Sequence, residues 1–533
     1  MDIHDQPTES LDSGNGKPGS MTPSADASGN SVKPSSGLAR RKLLVGAAVG
    51  IGGVAFAGSV AVGAVEMLRD KHADVLDENS SLAAQVQIGH LMRRVGFGSN
   101  PTEKLSYTSV ALSDAVESLI NYQSVSDDAL EQRLSALKLD LSKVANQQRW
   151  WLLRMAWTQR PLLEKMTLFW HGHFVSSYTK VGGPQAFERM MVQNQFLRAH
   201  AFDTFDNLLT GITSDPAMLV YLDLTTSTKK SPNENFSREL MELFTLGLGQ
   251  YTQQDVHNGA LALTGWHVIG HTAQSHYLPQ QHTTDTTTYL GRTGQLDYKD
   301  IVSLVANHPS TPWFISKKLF TFFAYENPSK EDLQPLVDAY NSSKHNMGAV
   351  MKALLLSPQF LSAKAYRNRV KSPTEFAVGA YRNLNASGDG AYLPRQTTIM
   401  GQTLLNPPNV AGWPGDQTSA LWLNSGTWIA RVNYIDYLLR GRVSQGSATP
   451  LVNLQQTIDT NHLDSPEHFV DYFASFLLDG NLATQRKQQL VDYFMTKDQS
   501  KARVTLTNGQ SYPLSKVRGA LYLMMSLPEY HLN

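Results

Sequence analysis

Two histidines separated by one residue form the most suggestive short motif of the chain. His171 and His173 stand in the run W-H-G-H-F at residues 170–174. On an extended chain, or around the end of a helix, side chains at i and i+2 project to one side and can share a metal ion. On a continuous helix they lie about 200° apart and cannot chelate. The motif therefore predicts either a metal or catalytic pair, or two structural histidines among aromatic residues.

A second group of polar residues has helical spacing. Asn235, Glu239 and Glu242 fall at intervals of four and three, so they share one helix face, and Arg238 lies beside it. Apolar residues around this helix predict that it is well buried, and buried carboxylates must be paired, protonated or metal-bound. We interpret the face either as a catalytic group or as a structural network of ion pairs.

Other sequence patterns are weaker indications of a site, and several motifs of known catalytic or nucleotide-binding sites are absent. The motifs H-E-x-x-H, G-x-S-x-G and G-x-x-x-x-G-K-[ST] do not occur in the chain. A G-x-G-x-x-A run at residues 50–55 lies in an export-like segment, so we expect no nucleotide cofactor. A further group of histidines, whose spacing matches no known ligand rule, consists of His257, His267, His271, His276 and His282.

The segments that carry these residues are predicted to be helical. From about residue 68 the apolar spacing is mainly three and four. A capping box at residues 231–234, with Ser231 as the N-cap, predicts the start of the helix that carries Glu239 and Glu242, called the carboxylate helix below. Thr252 predicts the start of the next helix. Residues 268–292 predict a long loop or a small hairpin, and residues 406–425 an irregular stretch. We expect a mainly α fold: a large multi-helix domain with a few long irregular loops and at most a small β-hairpin.

The amino-terminal segment has the pattern of an export signal. Residues 1–37 are rich in Ser, Gly, Pro, Asp and Asn and predict a disordered segment. Arg40 and Arg41 are followed by Lys42 and then by a run without charged residues from Leu43 to Val65. This pattern predicts a twin-arginine-type signal or membrane anchor over residues 38–66, followed by a helical body over 67–533. We expect the protein to be extracellular, periplasmic or membrane-anchored.

The overall composition excludes several classes of protein. The 533 residues contain no cysteine, which excludes disulfide scaffolds, cysteine zinc sites, iron–sulfur clusters and thiol catalysis. Lys and Arg together number 46, as do Asp and Glu. A net charge of zero argues against binding to nucleic acid, which normally requires a basic excess.

Several ordered blocks of the chain resemble the bacterial family DUF1800. The first is H-L-M-R-R-V-G-F-G at residues 90–98, and the second combines Glu164 and Lys165 with F-W-H-G-H-F at 169–174. A third runs from Asn233 to Gly247, and a late one is P-P-N-V-A-G-W-P-G at 407–415. The remaining blocks lie at residues 150–151, 251–256, 262–266, 308–309, 317–319, 371–376, 401–402 and 422–424.

The resemblance covers roughly residues 88–530 and implies an exported, largely helical protein for which no activity is established. It also implies a possible partner of the sulfatase-like family DUF1501. Two positions depart from the family pattern. Phe244 stands where the family usually has histidine, and Thr283, Asp285 and Thr287 replace the acidic, glycine and lysine positions of a segment that begins at His282. A site built on those positions would be altered here.

Two functions follow as hypotheses. In the first, His171 and His173 bind one divalent metal ion in a cell-envelope hydrolase. There Glu239 or Glu242 is the third ligand or general base, and Arg238, with Asn235 on the same helix, holds an anionic group.

In the second hypothesis the protein is a non-catalytic surface binding or assembly protein. Trp413, Trp422 and Trp428 would then stack on a glycan or dock a partner protein.

Overall fold

The structure is a computed structural model that describes residues 80–444, 447–449 and 451–533. All of these lie within one unit, Phe56–Asn533. The predicted disordered segment at 1–37 and the predicted signal or anchor at 38–66 lie outside the described residues. Within the described part of the chain, no helix is long and apolar enough to cross a membrane.

The first part of the described chain, as far as Tyr221, carries ten α-helices. At the start of its second helix Asn100 and Glu103 form a reciprocal capping box, and Pro161, which has no backbone N–H, occupies the first turn of another. In chain order the helices are α1 (Ala84–Gly96), α2 (Pro101–Thr108), α3 (Leu112–Ile120), α4 (Asp128–Ala136), α5 (Val144–Trp157), α6 (Pro161–His173), α7 (Tyr178–Val181), α8 (Ala186–Ala199), α9 (Phe205–Ser214) and α10 (Pro216–Tyr221).

The middle of the chain holds the carboxylate helix and two hairpins. Helix α11 (Glu234–Glu239) continues as a π-helix at Leu240–Thr245, and α12 (Gln253–Ala262) follows. Strands β1 (Trp266–Val268) and β2 (Ser275–Tyr277) pair antiparallel, as do β3 (Thr287–Tyr289) and β4 (Arg292–Gly294). The next helices are α13 (Tyr298–Ala306), α14 (Thr311–Phe323), α15 (Lys330–Ser342), α16 (Met347–Leu355), α17 (Pro373–Asn383) and α18 (Leu393–Ile399).

The last part of the chain adds further helices and two more hairpins. In order they are α19 (Pro414–Gln417), α20 (Ser425–Arg440), β5 (Arg442–Ser444), β6 (Ser447–Thr449), α21 (Leu454–Thr460), α22 (Pro466–Leu477), α23 (Thr484–Met495), β7 (Arg503–Thr505), β8 (Ser511–Pro513) and α24 (Leu514–Met525). Short 3-10 turns occur at Tyr122–Ser124, Leu224–Thr226, Pro279–Gln281, Ser419–Trp422 and Pro528–His531.

The mainly α prediction is confirmed. The strands number more than the one small hairpin expected, because four separate two-stranded hairpins occur among the described residues. Residues 268–292, predicted as a loop or a small hairpin, contribute to two of them. Each strand has three residues, too short for periodicity to distinguish it from a turn.

The carboxylate helix begins later than its capping box predicted. Ser231 pairs with Thr228 in a tight turn, and the N-cap is Asn233, whose side chain accepts a hydrogen bond from the backbone N–H of Asn235. The Thr228 turn competes for the backbone groups that Ser231 would have used, and the Ser231 prediction was wrong. The predicted start of α12 at Thr252 is confirmed, with a reciprocal bond to Asp255.

Helix α6 lies at the centre of the fold. It packs against α1, α3, α5 and α8, and nearly every side chain along it is buried. Its polar residues therefore depend on partners from other elements. Helix α6 therefore positions the polar residues of the candidate site.

Candidate functional site

His171 occupies a buried aromatic slot in the last turn of α6. Its ring lies 5.3 Å from Trp151 and 5.5 Å from Trp413, centroid to centroid. Its Nε2 accepts a hydrogen bond from the backbone N–H of Leu405 at 3.2 Å. Burial lowers the pKa of His171 to about 3, so the ring is neutral at physiological pH.

His173 is held on both of its ring nitrogens. Nδ1 lies 3.2 Å from the Nζ of Lys318, which can only donate, so Nδ1 is the acceptor. Nε2 then carries the proton and donates it to the carbonyl of Phe244 at 3.0 Å. Burial, and next the Lys318 charge, hold the pKa of His173 well below its ordinary value. His173 thus bridges α14 and the π-helix as a neutral side chain.

The two histidines belong to one continuous helix, Pro161–His173. On a continuous helix the side chains of residues i and i+2 point in different directions and do not converge on one ion. Within the described residues, no group of three His, Cys, Asp or Glu side chains has the arrangement of a metal site. Metal binding by His171 and His173 stays a prediction, and the local geometry gives both rings other partners.

The predicted polar face of α11 is present but more exposed than expected. Asn235 donates to Asp223 at 3.1 Å from an exposed position. Arg238 donates to Glu234 at 3.2 Å and to Gln253 at 3.0 Å. These are the short-range pairs that stabilise a helix surface.

Glu239 and Glu242 are half-buried neighbours on the same element. The hydroxyl of Tyr251 donates to Glu242 at 2.7 Å. Burial, followed by the charge of Glu242, raises the pKa of Glu239. The π-helix reaches His173 through the Phe244 carbonyl and not through either carboxylate. The structure therefore leaves the carboxylate pair and the histidine pair as two separate groups.

A carboxylate that the sequence analysis missed lies against the end of α6. The loop that carries Trp413 approaches so closely that a side chain on Gly412 would meet the carbonyl of Gly172 at 2.7 Å. A side chain on Gly172 would lie 3.0 Å from Oδ2 of Asp416. Glycine at position 172 thus makes room for the Asp416 carboxylate between the two histidines of the motif.

Asp416 is half-buried, and no hydrogen-bond donor among the described residues reaches its carboxylate. The guanidinium of Arg369 binds its backbone carbonyl instead, at 2.9 Å. Burial raises the pKa of the Asp416 carboxyl to about 7, in spite of the opposing charges of Arg369 and Lys165. The group therefore exchanges its proton near neutral pH.

Lys318 lies on α14, which packs against α19, the short helix that carries Asp416. Its amine donates to Nδ1 of His173 and, at 3.0 Å, to the carbonyl of Leu243, and it lies 5.1 Å from the ring centroid of Phe314. An ammonium group has three N–H donors. The third meets no nitrogen or oxygen acceptor in the part of the chain that the structure describes. Burial lowers the pKa of Lys318 to about 8, although the charge of Asp416 acts in the opposite direction.

A buried ion pair fixes the elements beneath this site. Lys165 of α6 pairs with Glu375 of α17, and Glu375 also accepts the backbone N–H of Ser372 at 2.6 Å. Burial by itself would raise the pKa of Glu375, but the Lys165 charge outweighs it and holds the pKa near 2. Arg94 of α1 donates to the carbonyl of Ala324 at 2.8 Å, just beyond α14. The blocks that these residues represent, distant in sequence, therefore meet around α6.

Two of the three tryptophans of the binding hypothesis are buried, and the third is partly exposed. Trp413 and Trp422 are 3% and 5% exposed. Trp428 stacks on His531, with centroids 4.2 Å apart. Trp413 and Trp422 therefore pack the 406–425 stretch onto the helices, while Trp428 is partly exposed. Glycan or partner binding through these rings stays a prediction.

The remaining histidines do not form one cluster. His257 lies 3.2 Å from Glu234, and Nδ1 of His282 lies 3.1 Å from the carbonyl of Thr264. His271 is exposed in the hairpin loop, whereas His267 and His276 stand opposite each other on β1 and β2.

Of the four residues that depart from the family pattern, three are buried and one is exposed. Phe244 is fully buried, and its ring lies 5.3 Å from that of Phe174. Thr283 is buried and its backbone N–H binds the hydroxyl of Thr264 at 3.2 Å. Asp285 is exposed and Thr287 is buried on β3.

Comparison with known proteins gives one family and no characterised relative. No curated protein and no solved structure matches the chain. The model of a protein family of unknown function, DUF1800, matches residues 90–532, from within α1 to the end of the last helical turn. The chain belongs to the DUF1800 family.

Proposed function

We propose that the protein is an exported hydrolase in which Asp416 is the general base and Lys318 stabilises negative charge on the substrate. The observation that carries this proposal is the half-buried Asp416 carboxylate, which has no donor among the described residues and lies on α19, a short helix that packs against α14, the helix of Lys318. Titratable groups with strongly altered pKa values, set in a fixed geometry, are typical of catalytic sites.

The proposed reaction uses the two groups in sequence. Ionised Asp416 takes a proton from water as the water oxygen attacks the substrate carbonyl carbon. The third N–H of Lys318 donates to the carbonyl oxygen, which gains negative charge. Asp416 then passes its proton to the leaving group as the bond between carbon and leaving group breaks. His173 holds the Lys318 amine in place, since its Nδ1 can only accept while Nε2–H binds Phe244.

The pKa values of the two groups set the expected pH profile. Asp416 must be ionised, which requires a pH above about 7, and Lys318 must be charged, which requires a pH below about 8. We expect a narrow bell-shaped dependence of kcat/KM with limbs near these two values.

The test is a panel of chromogenic carboxylic esters and amides with the wild type, Asp416→Asn and Lys318→Met. Removal of a general base lowers kcat by about 10²–10⁴-fold, and removal of an oxyanion donor by about 10²–10³-fold. The matched controls are Asp285→Asn and Lys317→Met, which change exposed residues of the same types. A wild type that cleaves none of the esters or amides, or full activity in Asp416→Asn, contradicts the proposal.

Export is part of the same proposal and rests on the sequence alone. Arg40 and Arg41 precede the run that ends near Val65. We expect replacement of both arginines by lysine to leave the protein in the cytoplasm, as measured by cell fractionation; unchanged export would contradict it. Cleavage or retention of the segment, and a partner of the DUF1501 type, stay predictions.

A further inference from the structure

The β1–β2 hairpin brings together two histidines that are distant from the proposed catalytic pair. His267 and His276 are direct partners in the antiparallel register. Side chains of opposed residues in such a pair lie on the same face of the hairpin. The two are nine positions apart in sequence, a spacing that no short metal motif uses.

The other face of this hairpin is already occupied. Trp266 and Tyr277, also opposed in the register, both pack on the ring of Tyr298, with centroid distances of 5.1 and 5.4 Å. Because side chains alternate along a strand, this packing fixes His267 and His276 on the opposite face.

The two imidazoles lie close to each other without hydrogen bonding. Their ring centroids are 6.0 Å apart, with 43° between the planes. Nε2 of His267 and Nδ1 of His276 are both shielded from solvent, and neither has a hydrogen-bond partner among the described residues. Buried polar atoms of this kind normally have a partner, so two of them on facing rings call for a common one.

We propose that His267 and His276 form a binding site for a divalent transition-metal cation. Two metal–nitrogen bonds of about 2.1 Å, together with the distance from each nitrogen to the centre of its ring, span about 6 Å, which matches the observed separation. Neutral imidazole suits Zn²⁺, Cu²⁺ and Ni²⁺ rather than Mg²⁺ or Ca²⁺. With two ligands from the protein, the remaining coordination positions belong to water or to an exogenous ligand.

This site is independent of the proposed hydrolase chemistry. It uses no residue of the Asp416–Lys318 pair, and it differs from the motif at His171 and His173. The metal joins β1 to β2 across their loop, so metal binding stabilises the hairpin in the folded state.

The experiment is a titration of the full chain, prepared without affinity histidines and stripped with a chelator, with Zn²⁺ against a competing indicator dye. We expect one equivalent to bind, and Mg²⁺ not to compete. His267→Gln and His276→Gln should each weaken binding at least tenfold. The matched control His271→Gln changes an exposed histidine in the loop of the same hairpin and should alter binding less than twofold.

A second measurement does not depend on the variants folding. Electron paramagnetic resonance of the wild type with one equivalent of Cu²⁺ should show hyperfine coupling to two imidazole nitrogens. Binding that is no tighter than in the His267→Gln/His276→Gln double variant overturns the proposal. So does stoichiometric binding that is lost in His171→Gln/His173→Gln instead, or a Cu²⁺ spectrum with no nitrogen coupling.

Discussion

Two histidine pairs occupy very different settings in this protein. His171 and His173 are two positions apart on α6, are 2% and 3% exposed, and receive hydrogen bonds or packing from four other elements of the fold. His267 and His276 are nine positions apart on a hairpin, and each has one shielded nitrogen with no partner in the part of the chain that the structure describes.

The difference shows that spacing in sequence is a poor guide to shared ligation unless the local conformation is known. The close pair shares a helix, which turns the rings apart, while the distant pair shares a strand register, which turns them together. Both rings of the chemically suggestive motif have hydrogen-bond partners within the fold, and its glycine leaves room for the Asp416 carboxylate.

The sharpest test of the comparison is the loss of a ring from each pair. His173→Ala removes the acceptor of the Lys318 amine, the donor to Phe244, and a packed ring. We expect the free energy of unfolding to fall by about 3–5 kcal/mol. His267→Ala should change it by less than about 1 kcal/mol in metal-free buffer. Urea denaturation measures both, and equal losses would remove the distinction.

The two histidine pairs should also differ in how the free energy of unfolding depends on pH. His171 has a folded pKa of about 3, below its ordinary value of 6.5, so between these values the unfolded chain binds the proton and the folded chain does not. Stability is therefore complete above pH 6.5 and declines as the pH falls toward 3, by a few kcal/mol for this one residue.

We expect His171→Gln to flatten that decline, and His267→Gln to leave it unchanged. The measurement is the urea midpoint at a series of pH values. A decline of the same size in His171→Gln and the wild type would contradict the assignment to His171.

Metal should stabilise only through the hairpin pair. At a Zn²⁺ concentration of 100 times Kd, binding to the folded state adds about 2.7 kcal/mol to the free energy of unfolding. Thermal or urea unfolding with and without Zn²⁺ measures the effect, which should vanish in His276→Gln and persist in His171→Gln. Persistence in His276→Gln would assign the metal to another site.

The smallest expected effect concerns Phe244, which stands in place of the usual family histidine. Its ring centroid lies 5.9 Å from that of His173. Since both nitrogens of His173 already have partners, we expect Phe244→His to bind no additional metal, as measured by elemental analysis. One extra equivalent, absent from the Phe244→His/His173→Ala variant, would show that the family position completes a metal site beside α6.

Much of the local structure could be read from the sequence, and most of the site could not. The α12 cap at Thr252 depends on groups three residues apart, and its prediction is confirmed. The cap at Ser231 failed because a turn with Thr228 used the same backbone groups. Lys318 lies in the family block at residues 317–319, and Asp416 directly follows the block at 407–415. Nothing in either block indicates that they meet, because their proximity depends on the docking of the 406–425 stretch against α6.

The sequence by itself determined the helical class, the family and the absence of thiol chemistry, because these depend on residue types, periodicity and ordered local blocks. Tertiary structure alone decided which polar groups face each other. Burial raises the pKa of Asp416 to about 7 and lowers that of Lys318 to about 8, and burial is a property of the assembled elements. The facing of His267 and His276 likewise depends on strand register, which hydrogen bonds between two separate segments fix.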